Sequence, residues 1–188
     1  ERDDDLRFDK HMVLVADARE FELISYSSQR AVPGDTLHRG ITLARGDTTF
    51  TLWREENGRG IGDVLARPPG RMYVLDAPLF TLFGYVGWTM RGRTFDRRPV
   101  HIMVLGARDT LLEGTVTDAG TQKLAWNGQS VDVRKLLIGD RQTTVEAWFT
   151  PDGHMLRLEQ TRAGIRAERD PPAAEPRPAT EPEPALRP

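Results

Sequence analysis

The stretch TQKLAWNGQSVDVRKLLI, residues 121–138, decides the fold class of this chain. Two runs rich in β-branched, aromatic and alternating residues, 121–126 and 130–138, flank Asn127-Gly128. That dipeptide is the strongest short hairpin signal, because both central residues of a type I′ turn need positive φ, which Asn and Gly adopt at the least cost. Working outward, residues 110–117, 143–150 and 155–161 have the same character, and Asp118-Ala119-Gly120 and Pro151-Asp152-Gly153 carry tight-turn chemistry between runs. The C-terminal half therefore reads as an antiparallel meander with short loops.

The N-terminal half extends that reading. Residues 20–27 alternate Phe21, Leu23 and Ser25 against Glu22, Ile24 and Tyr26, and Val32-Pro33-Gly34-Asp35 supplies a turn. A strand over 36–44 would place Leu37, Ile41 and Leu43 on its inner face; Arg45-Gly46-Asp47 turns into a strand over 48–55 carrying Phe50 and Leu52. One segment breaks the period. In residues 77–90, Leu79, Leu82, Phe83, Val86 and Met90 fall at helical spacing with Pro78 in the first turn, which predicts a helix, although Gly84 and Gly87 cost about 1 kcal/mol each against alanine. The expected fold is mainly β: a curved antiparallel meander, a half-barrel or open barrel, with one covering helix.

Organisation follows from composition. Residues 1–19 form an acidic arm with room for a first strand, 20–169 the β domain with its helix near 78–90, and 170–188 a Pro/Ala/Glu-rich tail. The tail holds seven of the 13 prolines and cannot bury enough apolar surface to offset its ordering entropy, so alone it should be extended or disordered. No internal repeat is visible.

Charge and cysteine content narrow the function classes. The 188 residues carry 26 basic and 28 acidic side chains, a formal charge of −2, so no global basic field favours nucleic acid. Arginine outnumbers lysine 23 to 3, scattered as a GC-rich, bacterial codon usage would scatter it. No apolar run is long enough for a transmembrane helix, since 77–90 is broken by Pro78, Thr81, Gly84, Gly87 and Thr89. Without cysteine there is no disulfide, thiolate metal site, cysteine nucleophile or lipid-anchoring cysteine within these residues. A chain opening on Glu1 has the form of a processed protein, and a periplasmic or other extracytoplasmic, membrane-peripheral location is expected.

A search for chemistry returns little. His11, His38, His101 and His154 lack the HxH or HExxH spacing that puts two imidazoles on one metal; His101 reads as a strand-face residue and His154 as exposed. Ser25, Ser27, Ser28 and Ser130 sit in no GxSxG elbow. Residues 57–62, NGRGIG, resemble a phosphate loop only superficially, because Asp63 stands where a dinucleotide-binding glycine belongs and no Walker lysine follows; they read as a flexible hairpin turn. Asp3, Asp4 and Asp5 lack EF-hand spacing. Asp76 and Asp96 flank the helical segment and would serve as an acid–base pair only if brought together, surface or turn positions being the expectation. No catalytic residue, metal site or cofactor is read from the chain.

One constellation stands out. The helix runs from Trp88 and Met90 directly into Arg91-Gly92-Arg93-Thr94-Phe95-Asp96-Arg97-Arg98, four arginines within eight residues. Guanidiniums beside aromatic rings suit carboxylate, phosphate or lipid-headgroup contact, so Trp88, Arg91, Arg93, Phe95, Arg97 and Arg98 are the candidate partner- or headgroup-binding residues, against the alternative of a solvated basic loop after a core helix.

Two stretches carry a resemblance. VEAWFTPDGHMLRLE, residues 145–159, pairs a tryptophan strand with an Asp-Gly turn and a returning strand, and RMYVLDAPLF, residues 71–80, is a strand leading into the helix. Both resemble uncharacterised extracytoplasmic bacterial proteins related to the lipoprotein-carrier (LolA/LolB-like) architecture, over about half of the chain. The resemblance implies a curved antiparallel sheet partly closed by helical segments and enclosing a lipid or lipid-linked ligand, with no catalytic residue transferred. The chain departs from that pattern in lacking the lipobox cysteine and in carrying the proline tail.

The reading taken forward is a non-enzymatic accessory module that docks on another protein or a membrane complex through the arginine loop and through the tail prolines Pro171, Pro172, Pro176, Pro178, Pro182 and Pro184. The alternatives are a carrier holding a lipid in the concave face of the sheet, and a hydrolase. A pocket map separates them, as an empty interior, an apolar cavity or a polar cleft.

Overall fold

Two sheets meet back to back in the computed structural model, which describes residues 9–32, 35–43, 46–56, 58–76, 82–140 and 143–171. The first sheet is an antiparallel meander of β1 (Asp9–Ala16), β2 (Leu23–Val32), β3 (Asp35–Thr42), β4 (Thr49–Glu56) and β5 (Arg59–Ala66), ordered as in sequence. The second comprises β6 (Met72–Asp76), β7 (Arg97–Leu105), β8 (Thr110–Trp126), β9 (Gln129–Gly139), β10 (Thr144–Phe149), β11 (Met155–Gln160) and β12 (Ile165–Glu168), again in sequence order. This seven-stranded sheet curls into a half-barrel, and α1 (Leu82–Met90) lies between β6 and β7 in sequence and against the concave face.

The expected mainly β class, the half-barrel and the covering helix are all present. One pair departs from the meander: β6 and β7 run parallel, with Met72 opposite His101 and Asp76 opposite Leu105, and α1 is the crossover that parallel pairing requires. The sequence states the reason. Parallel strands buried on both faces read as continuous apolar runs, here MYVL and HIMVL, rather than as alternation. Met72 and Val74 face the first sheet, packing with Tyr26, Ile41, Phe50, Met103 and Leu105. Tyr73 faces the other way, into a core with Phe83, Val86, Met90, Leu136, Ile138 and Phe149.

Local chemistry sets the boundaries. The Asn127-Gly128 turn has φ of 48° and 72°, as its type I′ reading requires. The residues read as a turn at 118–120 are instead a bulge inside one 17-residue strand, β8, where the register against β9 shifts between Asp118 and Thr121. The Asp118 carboxylate accepts the Gly120 N–H at 2.9 Å, so the aspartate and glycine that mimic a turn signal serve to bend the strand. The strand expected from residue 20 begins at Leu23, because the Asp17 side chain accepts the N–H groups of Arg19 and Glu20 and holds the preceding residues in a turn. The glycine-rich stretch read as one flexible turn is a strand from Arg59 onward. The helix occupies Leu82–Met90; residues 77–81, including Pro78, lie outside the described residues, as do Asp3, Asp4 and Asp5 and the Pro33-Gly34 turn. Gly87, which lowers helix propensity, is there for packing, since a Cβ would collide with the Phe149 ring from β10.

Candidate functional site

The concave side of the half-barrel holds a cavity of about 330 Å³. Its wall is assembled from one or two residues of each surrounding element: Leu75 of β6, Phe83 of α1, Ile102 and Val104 of β7, Leu112 of β8 and Ile138 of β9. Val145 and Ile165 complete it from β10 and β12. These residues continue the core cluster beneath them, and Leu75, Val104 and Leu112 are only partly buried because the space above them is open. Curling the sheet spreads its inner side chains toward one end faster than a single nine-residue helix, about 13 Å long, can cover them. Among polar residues, Glu113, Asp140, Thr143 and Gln160 line the same space. The Asp140 carboxylate and carbonyl accept bonds from Thr143 N–H and Thr144 Oγ1, which shape the β9–β10 turn.

Asp76, also on the cavity wall, is fully buried at the end of β6. The expectation of a surface or turn position fails because the first sheet supplies partners for the carboxylate: Tyr26 and Ser28 hydroxyls each donate at 2.7 Å, and the Arg39 guanidinium forms a close ion pair with it. Arg39 also donates to the carbonyls of Leu105 and Gly106 at 3.3 and 3.2 Å, so one guanidinium joins β3 to the ends of both β6 and β7. Burial, with the hydrogen bond to Asp76, pushes the Tyr26 hydroxyl far above its usual range and keeps it a donor. Asp96 is exposed in the loop after α1, whereas Asp76 precedes the helix, so the two flank opposite ends of it and make no acid–base pair.

The sequence-predicted arginine constellation sits at the other end of α1 from the cavity. Trp88 is 38% exposed and its ring lies 4.6 Å from that of Phe21, with the Arg91 guanidinium 4.9 Å above Trp88 and 5.5 Å above Phe21. Phe21 adopts a positive φ of 53°, and its carbonyl accepts the Tyr85 hydroxyl at 2.5 Å and Arg71 at 2.9 Å. Arg93 is half-buried and pairs with Glu20 at 3.6 Å. Phe95 lies under Arg98 at 5.4 Å and Arg134 at 4.8 Å, and Arg97 and Arg98 are exposed at the start of β7.

Arg134 is the arginine the sequence reading missed. Projecting from β9, it donates to the carbonyls of Met90 and Arg93 at 2.9 and 2.8 Å and to the Asp118 carboxylate at 2.7 Å, so it caps the C-terminus of α1 and fixes the loop beyond it. Nothing in its local sequence distinguishes it from its scattered neighbours. Burial pushes the Asp118 carboxyl up, but the bonds from Arg134 and Gly120 outweigh this and hold it below the usual carboxylate range.

The remaining candidates are dispersed. His11 and His154 are exposed, the latter 3.2 Å from Asp152, and His101 lies on β7 with a buried Nδ1 that has no hydrogen-bond partner. Among the described residues no group of three or more His, Asp or Glu side chains could hold a metal ion. Among the described residues no helix is long and apolar enough to cross a membrane. Pro171 is exposed, and Pro172, Pro176, Pro178, Pro182 and Pro184 lie outside the described residues. No family model, no curated protein and no solved structure matches the chain.

Proposed function

We propose that this protein is a carrier that holds a single acyl or similar apolar chain in the concave face of its half-barrel. The observation that supports the reading is the cavity, a mostly apolar space of about 330 Å³ lined by Leu75, Phe83, Ile102, Val104, Leu112 and Ile138. Concave, mostly apolar sites of about 300 Å³ and upward are the ordinary form of small-molecule pockets. At roughly 30 Å³ for each water-sized group, such a volume holds about ten methylenes. Burying ten methylenes at about 0.8 kcal/mol each is worth about 8 kcal/mol, the free energy of a micromolar complex before ordering costs.

Binding of a dansyl-labelled undecanoic acid tests the proposal. The parent protein should bind it saturably with one site, and Leu112→Trp, which fills roughly two methylene volumes, should weaken it about tenfold with little change in melting temperature. No saturable binding by the parent, or equal binding by the variant, would remove the carrier reading.

A second reading, docking on a protein or membrane complex, has one observation in its favour: the exposed Trp88 with Arg91 stacked above it, at the end of α1 away from the cavity. Changing Arg91, Arg93, Arg97 and Arg98 to glutamine should then reduce association with the native membrane fraction without altering acyl-chain binding.

A further inference from the structure

The edge strand β5 has features that the described residues do not explain. All eight of its residues are exposed, with Ile61 58% and Val64 70% accessible. Long exposed edges are ordinarily protected by charged side chains, lysine above all, or by proline, a bulge or a covering segment, because they offer unpaired backbone groups to any passing strand. β5 carries neither lysine nor proline, and its register against β4 is unbroken from Thr49–Ala66 to Glu56–Arg59.

Its glycines point the same way. A Cβ on Gly60 would meet nothing within 4 Å, and one on Gly62 would make only ordinary contacts at 3.9 Å. Neither has a positive φ. Glycine inside a strand marks a bulge or the close approach of another backbone, and here no bulge exists. Arg59 and Asp63, on the same face as Ile61, have no ion-pair partner among the described residues.

We infer that β5 is a self-association edge, pairing antiparallel with β5 of a second copy about a two-fold axis through Ile61 to make a continuous ten-stranded sheet. The backbone limits the register to those that pair edge-facing residues, and the charges select among them. Arg67 N–H donates to Thr48 O at 2.8 Å in the same register as the strand pairs, so alternate pairs from there, Phe50–Leu65, Leu52–Asp63 and Arg54–Ile61, are the hydrogen-bonded ones. The N–H and C=O groups of Gly60, Gly62, Val64 and Ala66 therefore point to the free edge. Pairing Gly60 with Gly62 of the second copy satisfies the edge-facing groups of both glycines reciprocally, brings the two backbones together where no side chain intervenes, and sets Ile61 opposite its own copy. The same register puts Arg59 opposite Asp63 of the second copy, twice, in the pairs whose side chains come closest. An isologous contact must be complementary to itself, and this charge pattern is. Shifting the register so that Asp63 meets its own copy would bring like charges together instead. The inference is independent of what fills the cavity.

Sedimentation velocity of the full chain up to about 200 µM, with parent, Ile61→Lys, Asp63→Arg and the double swap Arg59→Asp/Asp63→Arg, tests it. The parent should show a concentration-dependent monomer–dimer equilibrium. Ile61→Lys, which places two lysines across the axis, and Asp63→Arg, which turns both ion pairs into repulsions, should each raise the dissociation constant about tenfold or more, and the double swap should restore it. All positions are exposed, so circular dichroism and melting temperature should match the parent. A parent that stays monomeric throughout, or a dimer indifferent to Ile61→Lys and Asp63→Arg, would overturn the inference.

Discussion

Replacing Arg39 by methionine should be among the most destabilising single changes available in this fold. Methionine preserves much of the packing volume but leaves Asp76, at 0% exposure, without the guanidinium that compensates its charge. Removing one partner of a buried ion pair costs about 3–5 kcal/mol, because the remaining charge stays buried. The carbonyls of Leu105 and Gly106 lose a donor as well, and an unsatisfied buried polar group costs about 1–3 kcal/mol. Against a typical total of about 5–15 kcal/mol, such a loss removes a large share of the stability. The double variant Arg39→Met/Asp76→Leu removes the stranded charge and should recover most of the loss, since apolar replacement of a whole buried pair is often neutral or better. Urea unfolding followed by tryptophan fluorescence measures all three proteins; an unchanged slope would show that the unfolded reference is the same. If Arg39→Met lies within about 1 kcal/mol of the parent, or if the double variant is the less stable of the two, the bridge between the sheets is not what the geometry says.

Other consequences are simpler to state. Gly87→Ala should destabilise by about 1–3 kcal/mol although alanine favours helix, because its methyl overlaps the Phe149 ring; a gain in melting temperature would mean the helix has room to move. Gly128→Val should cost more than about 1 kcal/mol at a φ of 72°, and an unchanged denaturant midpoint would deny the type I′ turn. The Asp118 carboxyl is held below its ordinary value, so its contribution is complete above the unfolded carboxylate value of about 3.9 and disappears as pH falls through the lower folded value. Asp118→Asn should therefore be less stable than the parent at neutral pH, and the gap should close as the pH falls below the unfolded carboxylate value of about 3.9; a gap independent of pH in thermal melts would contradict that account.

What was legible in the sequence depended on how many faces of an element are buried. A strand with one solvated face, such as β9, announces itself by alternation, and the Asn127-Gly128 turn fixes its pairing with β8. β6 and β7 are covered on both faces, by the first sheet and by α1, so their apolar runs gave no period from which parallel pairing could be inferred. The bulge at Asp118 resembled a turn because both use an aspartate to accept a nearby N–H and a glycine to relax the backbone. The arginine cluster was visible as a run of like residues. The groups that position structure, Arg39 and Arg134, were not, because each meets its carboxylate only through long-range folding: Asp76 lies 37 residues from Arg39, and Asp118 lies 16 from Arg134. The cavity was foreseen only as one of three outcomes of a pocket map, since its wall draws one or two residues from each of seven strands and the helix without a local pattern.

The central claim is that the concave cavity, and not the arginine end of α1, receives an apolar chain. Methyl-resolved NMR of protein labelled at Ile, Leu and Val, titrated with dodecanoate, reads both places at once when the Trp88 indole is observed alongside. The account predicts saturable shifts at Val104, Leu112, Ile138 and Ile165 with the Trp88 signal unmoved. Shifts confined to Trp88 and its neighbours, or no saturable shift at the cavity methyls, would contradict it.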